Sequence, residues 1–129
     1  MSVDLDTLIQ ALQNSWAAET SSSKDWSQTN ASRGQCVPTS LVLQDYLGGE
    51  IIKCKVIIGP REEKHYYNRL SYGLIIDATI HQYTEHFVLE NQALKLNGFK
   101  SAREKRLSDK DTLRRYLILK ESVERLLTA

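Results

Sequence analysis

Cysteine is scarce in this chain: Cys36 and Cys54 are the only two in 129 residues. Two are too few for the disulfide framework of a small secreted domain, and a reducing compartment keeps both as thiols. Charge of one sign is lacking as well. Seventeen basic against sixteen acidic residues leave a formal net charge of +1, so no global field draws in nucleic acid or an anionic membrane. No run of about 18 apolar residues is present to span a bilayer, and the N-terminus does not carry the basic region and apolar stretch of a secretory signal. A cytoplasmic location is the expectation. With 41% hydrophobic and 26% charged residues, what remains is the composition of one ordinary globular domain with one core, taken as residues 1–129.

Apolar residues Leu5, Leu8, Ile9, Leu12 and Trp16 recur at three- and four-residue steps and predict an amphipathic helix over Asp4–Ala18. Thr20–Gly34 is rich in Ser, Thr and Asn, which favour local side-chain to backbone bonds over regular structure, and reads as a long loop interrupted by Trp26. Loops of that length are more often lids or binding segments than spacers. Cys36–Leu47 reads as a helix, with Pro38 in its first turn and Gly48-Gly49 stopping it. Glu50–Ile58 alternates as a strand, with Ile52, Cys54, Val56 and Ile58 on one side. Cys54 is thus expected in the core.

Lys64–Leu70 and Leu74–Thr79 are two further strands separated by Ser71-Tyr72-Gly73, a hairpin signal, because three-residue loops commonly end in a left-handed glycine. Ile80–Leu89 suggests a short helix, and Asn91–Leu107, polar and poorly periodic, is expected to be mostly loop. Ser108 followed by Asp111 resembles a capping box, and the stripe Leu113, Tyr116, Leu117, Val123, Leu126 and Leu127 predicts a helix from about Asp109 to Leu127. Helices at both ends with strands between them make this an α+β domain, its helices packed on a small, mainly antiparallel sheet.

A cysteine opening a helix sits where unpaired backbone N–H groups and the helix dipole favour negative charge, so the thiolate of Cys36 becomes accessible near neutral pH. If Leu70 and Leu74 close the hairpin as a pair, 67 faces 77, and His65 and Asp77 share one face on a diagonal that the two side chains can bridge. An imidazole held that way has its tautomer fixed and its other nitrogen free for a thiol. A two-residue Tyr-Gly turn would instead put the two residues on opposite faces.

Gly34-Gln35-Cys36-Val37 resembles the nucleophile segment of transglutaminases, and His65-Tyr66-Tyr67-Asn68 followed by Asp77-Ala78-Thr79 resembles their downstream His and Asp-x-Thr strands. More closely, the ordered set Gly34-Gln35-Cys36, Gly48-Gly49-Glu50-Ile51, His65 to Leu70, Gly73 and Asp77-Ala78-Thr79 is similar to the YunG family of small bacterial proteins, a likeness running from about Trp16 to Tyr83. The resemblance implies a papain-like or transglutaminase-like core with Cys36, His65 and Asp77 as a catalytic triad. It departs from transglutaminases at Val37 and Tyr67, where they typically carry Trp, and no spaced acidic set suggests calcium control.

The reading that follows is a thiol enzyme, a cysteine hydrolase, amidase, deamidase or acyl transferase, forming a thioester at Cys36 on a protein or small amide substrate. The oxyanion would be met by the Cys36 N–H and a second donor, with Gln35 and Trp26 as candidates, while Tyr67 and Asn68 are candidates for contact with substrate. Tyr66, Tyr72 and Tyr83 could join Tyr67 along a groove or be ordinary sheet residues. The alternative is a non-catalytic protein-binding domain on the same fold. No metal or cofactor is expected, because Cys54, His65, His81 and His86 match no common zinc spacing. The basic residues from Arg103 to Arg115 are interleaved with acids and read as a solvated helix face in preference to a nucleic-acid patch. Oligomeric state stays open.

Overall fold

The computed structural model describes residues 3–129. Helix α1 (Leu5–Ser15) is followed by a 3₁₀ turn (Ala18–Thr20), a long loop, α2 (Cys36–Leu47), strands β1 (Glu50–Ile58), β2 (Arg61–Arg69) and β3 (Ile75–Ile76), a second 3₁₀ turn (Ile80–Gln82), β4 (Val88–Asn91), α3 (Ala102–Leu107) and α4 (Lys110–Thr128). The four strands form one sheet in the order β3-β2-β1-β4, every neighbouring pair antiparallel. This is the expected α+β architecture.

Leu8 and Leu12 of α1, Leu41, Val42 and Leu43 of α2, and Tyr116, Leu119 and Val123 of α4 form the main core, and Ile51 and Tyr66 of the sheet join it. Burying each leucine fully is worth about 1.5–3 kcal/mol. Because side chains alternate along a strand, Ile51 of β1 points to the helices while Val56 and Ile58 point the other way, into a second apolar cluster with Tyr83. The strand therefore buries residues on both faces, and Ile51, not Ile52, is the buried isoleucine at its start.

Several boundaries differ from the sequence reading. α1 ends at Ser15, since Trp16 turns extended and its indole N–H donates to Thr39 Oγ1 at 2.9 Å, tying the helix end to α2. The buried stripe of α4 is Thr112, Tyr116, Leu119 and Val123, which leaves Leu113, Leu117 and Leu126 exposed. Its cap is Asp109, whose carboxylate accepts from the Thr112 N–H at 2.9 Å, while the Ser108 hydroxyl donates back to the Lys105 carbonyl at the end of α3. The segment read as a loop, 91–107, contains α3, capped by Ser101. The short helix expected over Ile80–Leu89 is a single 3₁₀ turn followed by β4, whose residues pair with Cys54–Ile57.

Candidate active site

Cys36 opens α2, and Gln35 before it offers no side-chain cap. The first-turn N–H groups of that helix are thus left for a negative charge near the sulfur. The bend into Cys36 requires glycine. Gly34 has φ +73, and a Cβ there would lie 2.3 Å from Ser21 Oγ and 2.7 Å from the Ser23 nitrogen, closer than any side chain tolerates. Gly34 is held on both sides: its carbonyl accepts from the Ser22 N–H at 3.0 Å and its own N–H donates to Gln82 Oε1 at 3.1 Å.

His65 projects from β2 opposite Cys54 of β1 and is 0% exposed. The pairs Asn68↔Ile76 and Arg69↔Ile75, with the Leu70 N–H bonded to the Leu74 carbonyl, are the register of a three-residue hairpin loop. Asp77 follows β3 directly, on the diagonal from His65. Its two oxygens lie 2.9 and 2.8 Å from His65 Nε2. A carboxylate only accepts, so Nε2 carries the proton and Nδ1 is the nitrogen left for other partners. One of these is the Tyr83 hydroxyl at 3.4 Å, on a ring that meets the imidazole edge-on at 5.3 Å.

Burial alone would lower the His65 pKa, but the hydrogen bond to Asp77 and the approach and charge of Cys36 together raise it to about 9. Cys36 is thus, after Asp77, one of the groups that favour the protonated imidazole. The same negative charge acts on Tyr83, whose hydroxyl is pushed up first by burial and then by Cys36. Cys54 is different. Burial, with the charges of Asp77 and Cys36 adding to it, pushes its thiol up to about 11, as befits an inert core cysteine.

The long loop is fastened over this region by Arg33, whose guanidinium grips both oxygens of Glu63 on β2 at 2.6 and 2.9 Å and donates to Asp25 at 2.9 Å. The Glu63 bonds, with Asp25 adding, outweigh burial and hold the Arg33 pKa above its ordinary value. Asn30 donates to the Gln82 carbonyl at 3.0 Å. Neither Arg33 nor Gln82 stood out in the sequence; an arginine just before Gly-Gln-Cys was the one available signal.

The remaining candidates separate. Trp26 commits its indole N–H to the Ala31 carbonyl at 2.8 Å, inside the loop. Gln35 is fully buried, with Nε2 donating to the Ala17 carbonyl at 2.9 Å and Oε1 without a partner. Asn68 is also buried and donates to the Ser40 carbonyl at 3.0 Å, joining β2 to α2. Tyr67 lies with its ring centroid 6.5 Å from that of His65. Of the other tyrosines, Tyr72 is 76% exposed on the hairpin loop, and Tyr66 stacks under Arg106. Among the described residues no group of three or more His, Cys, Asp or Glu could hold a metal ion.

Comparison with known proteins supplies the family. The model described as YunG protein matches residues 4–128. The chain belongs to the YunG family. One relative, from Bacillus subtilis (strain 168) and described as "Uncharacterized protein YunG", is 39% identical over 72 residues, 56% of this chain. The match also spans 56% of that relative's length, a little over half. No solved structure matches this YunG-family chain, and no helix among its described residues is long and apolar enough to cross a membrane.

Proposed function

We propose that this chain is a thiol enzyme of transglutaminase-like or papain-like design, with Cys36 as nucleophile, His65 as general base and acid, and Asp77 orienting the imidazole. The observation that carries the reading is the double approach of Asp77 to His65 Nε2, at 2.8 and 2.9 Å, on a buried imidazole whose pKa Asp77 first and Cys36 after it raise. It leaves Nδ1 to exchange a proton with the thiol. The thiolate attacks an amide or ester carbonyl, a C–S bond forms, and the proton held on His65 passes to the leaving amine or alcohol as its bond to carbon breaks. The Cys36 N–H, at the uncapped end of α2, meets the oxyanion. Water or an amine, deprotonated by His65, then attacks the thioester carbonyl, and the C–S bond breaks to release the acid or the new amide and restore the Cys36 thiolate beside the protonated imidazole. Protein or small amide substrates in the cytoplasm suit this chemistry.

The test is covalent capture: p-nitrophenyl acetate at pH 7, followed by peptide mass mapping and hydroxylamine treatment. The reading expects a hydroxylamine-labile acetyl group on Cys36 in the wild type and none on Cys36 in His65→Ala. Absence of acyl-Cys36 from the wild type, or equal acylation in the variant, overturns it. A non-catalytic protein-binding domain is the second reading, favoured by one observation: Cys36 is 9% exposed and lies below the surface.

A further inference from the structure

β1 is bonded unequally along its two sides. β2 pairs with all of Glu50–Ile58, whereas β4 covers only Cys54–Ile57. Along Glu50–Lys53 the sheet thus has an open edge, where alternate residues turn N–H and C=O away from β2. That edge borders a groove of about 710 Å³, walled on the far side by the chain that leaves β4, including Gln92 and Leu94, and by the start of α3. Gln92 has a buried amide oxygen with no hydrogen-bond partner. An open edge beside an unfilled groove is the geometry of strand addition, in which an extended peptide supplies the missing ladder.

The charge of the wall narrows the occupant. Among the described residues Glu50 is the one acidic residue lining the groove, and it is paired with Arg69 at 3.3 Å. Arg103 is engaged by Asp45 at 2.7 Å. Lys53 and Lys100 line the groove with no carboxylate partner among the described residues. Burial and the positive charges of Lys64, Lys105 and Arg106 hold the Lys53 amine below its ordinary pKa, so an acidic group there relieves repulsion among cations.

We propose that the groove beside Glu50–Lys53 is a docking site for an acidic peptide in extended conformation, which pairs with the open edge of β1 and sets its carboxylates against Lys53 and Lys100. A strand of four residues matches the length of the edge, roughly 13 Å. The groove is bordered by Gln44 and Gly49, at the end of α2 opposite Cys36, and by Tyr67, whose ring lies 6.5 Å from that of His65; the docking proposal rests on the open edge and the lysines and stands whether or not the thiol chemistry holds.

The experiment uses the full chain and a fluorescein-labelled Glu-Val-Glu-Val-Glu-Val peptide, followed by fluorescence anisotropy, with the lysine-for-glutamate peptide as control. The acidic peptide should bind, bind more weakly as salt rises, and lose about tenfold in affinity to Lys53→Glu/Lys100→Glu. Hydrogen exchange should show new protection at amides within Glu50–Lys53, and Cys36→Ser should bind as the wild type does. Equal binding of both peptides, unchanged affinity in the charge-reversed variant, or binding without protection of that edge overturns the proposal. So does occupation of the edge by a second copy of the chain, seen as a dimer that excludes the peptide.

Discussion

His65 and Asp77 meet through one nitrogen and two oxygens: Nε2 lies 2.8 Å from Oδ2 and 2.9 Å from Oδ1, so the carboxylate straddles the ring N–H. This contact fixes the tautomer and counters the burial of a fully enclosed imidazole. Asp77→Asn removes the charge and keeps the shape. His65, raised to about 9 in the wild type, should titrate about 1–2 units lower in the variant by NMR of the ring. An unchanged titration would mean that Asp77 does not hold the proton.

The same shift predicts a pH dependence of stability. The His65 pKa is higher folded, about 9, than at its ordinary value of 6.5, so the native state binds the proton more tightly than the unfolded chain. That contribution, on the order of a few kcal/mol, is fully present below pH 6.5 and is lost as pH rises through about 9. Urea midpoints measured from pH 6 to pH 10 should fall across that window in the wild type and run flatter in Asp77→Asn.

Tyr83 touches His65 with both its ring and its hydroxyl. Tyr83→Phe keeps the edge-on ring contact and removes the hydroxyl that meets Nδ1, a loss of about 1 kcal/mol in urea unfolding. Tyr83→Ala also empties part of the cluster with Val56 and Ile58 and should lose about 3–5 kcal/mol. Equal losses in the two variants would place the whole effect in the hydroxyl.

The Arg33 clamp joins the long loop to β2. Arg33→Ala leaves the part-buried Glu63 without its bidentate partner and should destabilise the chain by about 1–3 kcal/mol. Arg33→Ala/Glu63→Ala should recover part of that loss. Limited proteolysis should cut first within 21–33 in the single variant. Protection of that loop equal to the wild type's would show that Arg33 does not fasten it.

The diagonal of His65 and Asp77 was legible because it depends only on loop length: Ser71-Tyr72-Gly73 predicts the register that pairs Arg69 with Ile75. Cys36 at a helix start was legible from Gly34, Pro38 and the apolar run after them. β4 was not, since its four residues are all exposed and carry no alternation of burial, and its place depends on the far edge of β1. α3 spans six residues, too few for a helical period to show. The α4 stripe was misplaced because Thr112 is buried and Leu113 exposed, so the apolar residue and the buried position stand one apart. The Arg33–Glu63 clamp spans thirty residues and leaves no local pattern.

The most direct measurement is the pH dependence of iodoacetamide labelling, read separately at Cys36 and Cys54 by mass spectrometry, for the wild type beside His65→Ala. A working thiol-imidazole pair predicts that Cys36 labels at pH 6–7 about tenfold faster or more than in His65→Ala, while Cys54, with its thiol pushed up to about 11 by burial, labels slowly in both. Labelling of Cys36 that rises only in the range of an ordinary free thiol and is unchanged by His65→Ala would contradict it.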